Sequence, residues 1–163
     1  MTPKTPHELG YHFPAEFAKH DATWLSWPHK EASWPGKIKT IYPVYAEFVK
    51  FLAEGEQVNI NVVDVAMKQN ALHYLREASA NLDSVKFFKH PTNDAWCRDH
   101  GPAFVINARA ELKKIIVDWG YNAWGGKYPP FDLDDNIPTL IAQHYNIPVV
   151  YPGIVMEGGS GRF

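Results

Sequence analysis

Apolar positions along the chain switch between the spacing of strands and the spacing of helices. Residues 22–27 are β-branched or aromatic and stop at Pro28, which predicts a strand. Over residues 38–52 the apolar positions recur with a helical period for four turns. Because Pro43 falls inside that period, the helix is expected either to start near Tyr42 or to kink there.

The middle of the chain repeats this alternation. A strand, an amphipathic helix and a short strand are predicted at residues 58–65, 67–81 and 85–88. Two more strands flank a turn, at residues 103–107 and 113–119. The continuous apolar run in the second of these is typical of a strand buried on both faces.

The last third begins with a long aromatic loop. After it, Asp134 and Asp135 are expected to cap a helix that runs to about Tyr145. Two short strands are predicted next, at residues 148–151 and 154–156. A strand–strand–helix–strand order is visible over residues 103–151, with a looser version before it, so the sequence predicts an α/β fold built from similar units.

Composition narrows the class of protein. A chain of 163 residues with 45% hydrophobic and 21% charged residues is typical of one soluble domain. Its formal charge of −2 and the lack of a basic stripe argue against a nucleic-acid partner. No apolar run approaches the roughly 18–20 residues of a membrane helix. A single cysteine and an N-terminus without an apolar secretory segment predict a cytoplasmic protein.

Residues 92–102 hold the most concentrated chemistry of the chain. They contain two carboxylates, a guanidinium, an imidazole, an indole and the single thiol, a mixture typical of a pocket wall. A guanidinium is planar and always charged, so two carboxylates and an aromatic face hold it best. Trp96 and Asp99 would supply one face and one carboxylate if this segment is a loop or a helical turn. The alternative is structural: Asp94 and Asp99 cap turns and pair with Arg98, while Trp96 packs in the core.

Other candidate sites are weaker. Cys97 and His100 are close enough in sequence for a thiolate–imidazole pair, but a lone Cys beside Trp is more often a buried, inert thiol. The glycine-rich segment 119–130 lacks the residues of a phosphate-binding loop and indicates either a tight loop or a pocket rim. No His pair has helical ligand spacing with a carboxylate in support, so neither a metal nor another cofactor is expected.

Taken together, these residues resemble the agmatine deiminase and bacterial peptidyl-arginine deiminase family. The first matching segments are Pro14-Ala-Glu-Phe with His20-Asp-Ala-Thr-Trp-Leu-Ser-Trp-Pro, and Trp34-Pro-Gly. They are followed by Asn93-Asp-Ala-Trp-Cys-Arg-Asp-His-Gly-Pro, by residues 117–130, and by Glu157-Gly-Gly-Ser. Five segments in the same order, from residue 14 to residue 160, make the match specific.

The resemblance implies a pentein-like α/β-propeller of five ββαβ units. About the first two units would be present, as a partial deiminase domain over residues 1–163. The implied reaction hydrolyses the guanidinium of agmatine or of an arginine side chain to a ureido group and ammonia, a step of polyamine metabolism in the case of agmatine. The implied catalytic residues are Asp99 and Glu157, and the implied substrate-binding residues are Trp96 and Asp99. Further pocket or rim positions are Asp94, Arg98, Trp124, Gly125 and Gly126.

Two residues of the family pattern have no match here, the nucleophilic Cys and the catalytic His. Cys97 stands where the family usually has an apolar residue, and His100 where a small polar residue is more usual. The chain alone is therefore expected to be inactive. The alternatives are a non-catalytic half-domain that self-associates into a homo-oligomer or binds guanidinium compounds weakly, and a chain in which Cys97 serves as a substitute nucleophile with His100.

Overall fold

A computed structural model describes residues 4–158. The chain divides into two compact units, one of residues 19–97 and the other combining residues 1–18 with 98–163. Each unit has its own sheet and its own hydrophobic cluster. Among the residues described, no helix combines the length and the apolar character that crossing a membrane requires.

The unit of residues 19–97 is built on a parallel sheet. Its strands are β1 (Ala22–Ser26), β2 (Gln57–Val62) and β3 (Val85–Lys89), in that spatial order. Leu25, Ile60 and Phe87 lie in register across the three strands. Five consecutive residues of β2 are buried, as expected for the central strand of a parallel sheet.

Two helices make the crossovers that parallel strands require. They are α1 (Ile38–Gly55) and α2 (Val65–Glu77). Helix α1 turns Ala46, Val49 and Ala53 into the core, at the three- and four-residue spacing of one helix face. Pro43 lies inside α1, so the first of the two alternatives, a start near Tyr42, was wrong. One turn precedes the proline because Lys37 accepts main-chain hydrogen bonds from Thr40 and Ile41.

The predicted strand over residues 58–65 was too long. Strand β2 ends at Val62, and Asp64 caps the next helix by accepting a 2.7 Å hydrogen bond from the Met67 amide. Val65 is the first residue of α2 and is exposed. The apolar run did not reveal this boundary, because an exposed valine in a first helical turn resembles the end of a strand.

The other unit carries a mixed sheet. Its strands are β4 (Ala103–Ile106), β5 (Lys114–Val117) and β6 (Val149–Val150). Strands β4 and β5 are antiparallel, β5 and β6 are parallel, and helix α6 (Ile137–Tyr145) lies between β5 and β6 in the chain. The strand–strand–helix–strand order predicted over residues 103–151 is thus confirmed.

The region around α6 also corrects two predictions. Asp134 and Asp135 belong to the preceding turn α5 (Asp132–Asp135), and no side chain caps α6. The strand expected at residues 154–156 is reduced to one bridge between Val155 and Gly120. Two further single turns are α3 (Cys97–His100) and α4 (Ala123–Gly126).

Candidate functional site

Asp99, Trp124 and Glu157 come together within the unit of residues 98–158. Asp99 lies in α3 and Trp124 in α4, while Glu157 follows the bridge at Val155. The main-chain N–H of Trp124 donates to Glu157 Oε1 at 2.7 Å. The Trp124 side chain hydrogen-bonds the Asp99 carboxylate, and the indole N–H is its only donor. One tryptophan therefore holds two carboxylates distant in sequence.

The backbone of α4 presents Trp124 in an unusual conformation. Trp124 has φ 57° and ψ 53°, in the left-handed region that few residues other than Gly adopt. The turn is fixed by Asn122, whose side chain accepts from the Gly125 amide at 2.7 Å. Gly125 and Gly126 continue it with φ of 82° and 75°. These two glycines, predicted as rim residues, thus shape the loop that positions Trp124.

The pKa of Asp99 is raised from its ordinary value of 3.8. Burial is the main cause and the nearby charge of Glu157 adds to it, while the hydrogen bond from Trp124 and the charge of Arg98 act in the opposite direction. A carboxylate whose pKa is raised by a neighbouring carboxylate is stabilised in its ionised form by a nearby cation. The cluster is therefore suited to a positively charged ligand.

Gly158 allows Glu157 to approach α3. A Cβ at this position would overlap the main-chain carbonyl of Arg98, lying only 2.8 Å from its carbon. A side chain there would force the two segments apart, and with them Glu157 and Asp99. The close approach gives a physical reason for the glycine after Glu157.

Arg98 directs its own side chain elsewhere. Its guanidinium forms a 2.8 Å ion pair with Glu16, and both side chains are largely exposed. The structural alternative predicted an ion pair between Asp94 and Arg98, and that prediction was wrong. Asp94 is buried and pairs with Lys30 at 3.8 Å, and it accepts hydrogen bonds from the Ser33 hydroxyl and the Ala95 amide. These contacts give Asp94 a structural role within residues 19–97.

The structural alternative placed Trp96 in the core, and that prediction was wrong. Its side chain is 40% exposed and stacks on Trp34, with 5.8 Å between the ring centroids. This pair belongs to the unit of residues 19–97, because the boundary between the units falls after Cys97. The substrate-binding role of Trp96 stays a prediction, and its stacking partner Trp34 was not singled out from the sequence.

Cys97 and His100 have different partners. The Cys97 thiol donates to the Ser26 hydroxyl at 3.2 Å. The His100 ring is buried, with Nε2 3.9 Å from Asp134 Oδ1 and its edge against Tyr121. Asp134 was expected to cap a helix; instead it is buried and faces this imidazole. Among residues 4–158, no group of three or more His, Cys, Asp or Glu side chains could hold a metal.

A second acidic feature lies in the same unit. A cavity of about 570 Å³ is lined by Asp118, Asp135, Thr139 and Tyr151, among others. Burial raises the pKa of Asp118, which accepts a 3.0 Å hydrogen bond from Thr139. Asp135 adds to the raised pKa and also accepts from the Tyr121 amide at 2.6 Å. Both carboxylates thus have hydrogen-bonding roles within the fold.

Comparison with known proteins decides the family. The family model of the Porphyromonas-type peptidyl-arginine deiminases matches residues 12–162. The chain belongs to this family. A curated relative is the agmatine deiminase of Ectopseudomonas mendocina (strain ymp), 36% identical over 96% of this chain and 42% of the relative.

Solved structures of the family confirm the fold class. The chain is similar to the agmatine deiminase of Enterococcus faecalis with a TM-score of 0.83 and 29% identity, covering 98% of this chain and 43% of that one. The C. jejuni agmatine deiminase with substrate bound gives a TM-score of 0.78 and 25% identity, covering 94% and 43%. The predicted α/β, pentein-like class is confirmed, and the chain spans about 42% of the length of its curated relatives.

Proposed function

We propose that residues 1–163 form part of a deiminase of the agmatine or peptidyl-arginine type. The reaction adds water to a guanidinium and yields a ureido group and ammonia. In agmatine this gives N-carbamoylputrescine, and in an arginine side chain it gives citrulline. The proposal includes the cytoplasmic location that the single cysteine suggests.

The chain's part in this reaction is to hold the guanidinium. The observation that carries the proposal is the pairing of Asp99 and Glu157 around Trp124, with the pKa of Asp99 raised. Two ionised carboxylates match the planar donors of a guanidinium, and binding it removes their mutual repulsion. The ring of Trp124 is the aromatic face that we assign to the substrate beside these carboxylates. A substrate-binding role for Trp96, which is 40% exposed, stays a prediction from the family resemblance.

We assign turnover to groups outside this set. The nucleophilic Cys and catalytic His of the family have no match among these residues, and the Cys97 thiol is hydrogen-bonded to Ser26. We therefore expect this chain to bind agmatine without releasing ammonia. A longer protein carrying those two residues is expected to release it.

Calorimetric titration of the 163-residue chain with agmatine tests the binding step. Asp99→Asn and Glu157→Gln are each expected to weaken binding by roughly tenfold or more, since each removes a charged hydrogen-bond acceptor. Affinity should rise with pH through the raised pKa of Asp99, because the cation binds the ionised carboxylate. Putrescine, which has an ammonium in place of the guanidinium, should bind more weakly than agmatine.

Two controls make the titration decisive. Asp83→Asn removes an exposed carboxylate outside the cluster and should leave agmatine binding unchanged. An arginine dipeptide titrated in parallel separates the agmatine preference from the peptidyl-arginine preference. Equal agmatine affinity in Asp99→Asn and the parent chain would sink the proposed role of this carboxylate.

A further inference from the structure

Helix α1 has two apolar faces. Ala46, Val49 and Ala53 form the face buried in the core. The other face is exposed, with Val44, Phe48 and Phe51 at 67%, 48% and 59% of their full accessibility. At about 100° per residue the two faces are roughly 160° apart, on opposite sides of the helix.

The exposed face has the spacing of a helix–helix seam. Half-buried Ile41 precedes Val44, Phe48 and Phe51, so apolar residues recur at intervals of three, four and three. This is the pattern by which two helices interlock. A helix face that only meets water carries polar residues instead, and two half-exposed phenylalanines on one stripe indicate an interaction surface.

Charges at the two ends of α1 indicate what covers this face. Lys37, in line with the stripe, is exposed at the N-terminal end, and Glu54 is exposed at the C-terminal end. The first turn has no acidic residue and the last turn no basic one, which is the reverse of what the helix dipole favours. Each end is complementary in charge to the opposite end of the same helix in another molecule.

We propose that a second copy of this chain docks antiparallel on the exposed face of α1. In this register Val44 of each copy meets Phe48 of the other, and Ile41 meets Phe51. Glu54 of one copy then lies level with Ile38 of the other, next to Lys37. The symmetric arrangement uses the same patch on both molecules. It goes beyond the deiminase function and does not depend on it.

The size of the patch sets the expected strength. Eighteen residues at about 1.5 Å each make a helix of about 27 Å, so a single helix pair buries less than the roughly 800 Å² per partner of a standard interface. Association is expected to be weak and reversible, with a dissociation constant on the order of tens of micromolar.

Sedimentation velocity of the 163-residue chain across about 1–200 µM, a range bracketing that constant, tests the interface. The parent should convert from monomer to dimer, and Phe48→Glu or Phe51→Glu should raise the dissociation constant about tenfold or more. Val65→Glu is the matched control, because Val65 is 70% exposed on α2 and outside the patch. It should dimerise like the parent, and circular dichroism should show all four proteins equally helical.

A charge exchange identifies the occupant as a second copy. Lys37→Glu should weaken the dimer about threefold, since like charges would then face each other. Adding Glu54→Lys to that variant restores both complementary ends and should restore the parent dissociation constant. A foreign partner could not produce this recovery.

A parent chain that stays monomeric up to about 200 µM would overturn the proposal, because even a weak helix pair would be populated there. A dimer insensitive to Phe48→Glu and Phe51→Glu would overturn it as well, by placing the contact elsewhere. So would a charge exchange that fails to recover dimerisation.

Discussion

Ionisation of the Asp99 carboxylate destabilises the folded state. Its pKa is raised above 3.8 by burial and by Glu157, so the folded state binds the proton more tightly than the unfolded chain. Stability therefore falls as pH rises from about 3.8 through the raised pKa, and the cost remains above that window. We expect Asp99→Asn to be more stable than the parent at pH 7, with the difference disappearing towards pH 3.

Urea unfolding followed by tryptophan fluorescence at several pH values measures this difference. The matched control is Asp83→Asn, which removes an exposed carboxylate remote in sequence from the cluster and should gain no stability at pH 7. The gain in Asp99→Asn should be small, because the site is partly exposed and water screens the repulsion. If Asp99→Asn were less stable than the parent at pH 7, ionised Asp99 would not be destabilising, and the prediction would be contradicted.

Sequence reasoning found the two carboxylates but not the residue that joins them. Asp99 and Glu157 followed from the chemistry of guanidinium binding and from the family resemblance. Trp124 was expected only at the rim of the pocket. Its contacts depend on a left-handed backbone conformation, with φ 57°, that no sequence pattern predicts. The pairing of His100 with Asp134 was missed for a similar reason: the two are distant in sequence, and Asp134 looked like a helix cap.

Helix α1 contains a proline in its second turn, a position at which proline normally destabilises a helix. Pro43 lies in the second turn, where it has no N–H to donate to the Lys39 carbonyl and its ring crowds that carbonyl. The position is exposed, so an alanine there would leave the buried face intact. We expect Pro43→Ala to raise the free energy of unfolding by about 1–3 kcal/mol, measured by urea denaturation.

Pro138 provides the comparison for this substitution. It lies in the first turn of α6, where a proline costs no hydrogen bond, and its side chain is buried. Pro138→Ala should therefore give no gain in stability. If Pro43→Ala also gave none, another interaction in α1 would have to compensate for the missing hydrogen bond.

Helices and strands were predictable where the apolar pattern was long, and their limits were not predictable where the elements were short. The period over residues 38–52 located α1, and the apolar run at residues 115–117 located β5. The ends were decided by single side chains, such as Asp64 accepting from Met67 at the start of α2. Strand β6 has only two residues, too few for any pattern to fix its limits.

At the scale of the whole molecule, the α/β class was predictable and the division of the chain was not. The unit containing β4 and β5 also includes residues 4–18. His12 pairs with Ile106, and the Tyr11 hydroxyl donates to the Leu112 carbonyl at 2.6 Å. Each contact joins the polar N-terminal segment to a residue about ninety to a hundred positions later in the chain. Because that segment has no periodicity, no local signal predicts these contacts.

Ile60 tests whether the parallel sheet holds the unit of residues 19–97 together. It is fully buried in central strand β2, in register with Leu25 and Phe87. Truncation to alanine leaves a cavity that the rigid sheet fills poorly, so we expect Ile60→Ala to cost about 2–5 kcal/mol. Hydrogen exchange should show that loss in the amides of β1, β2 and β3. Leu112→Ala, at a side chain 51% exposed, should cost less than about 1 kcal/mol. Equal costs for the two substitutions would mean that burial in β2 is not what stabilises this unit.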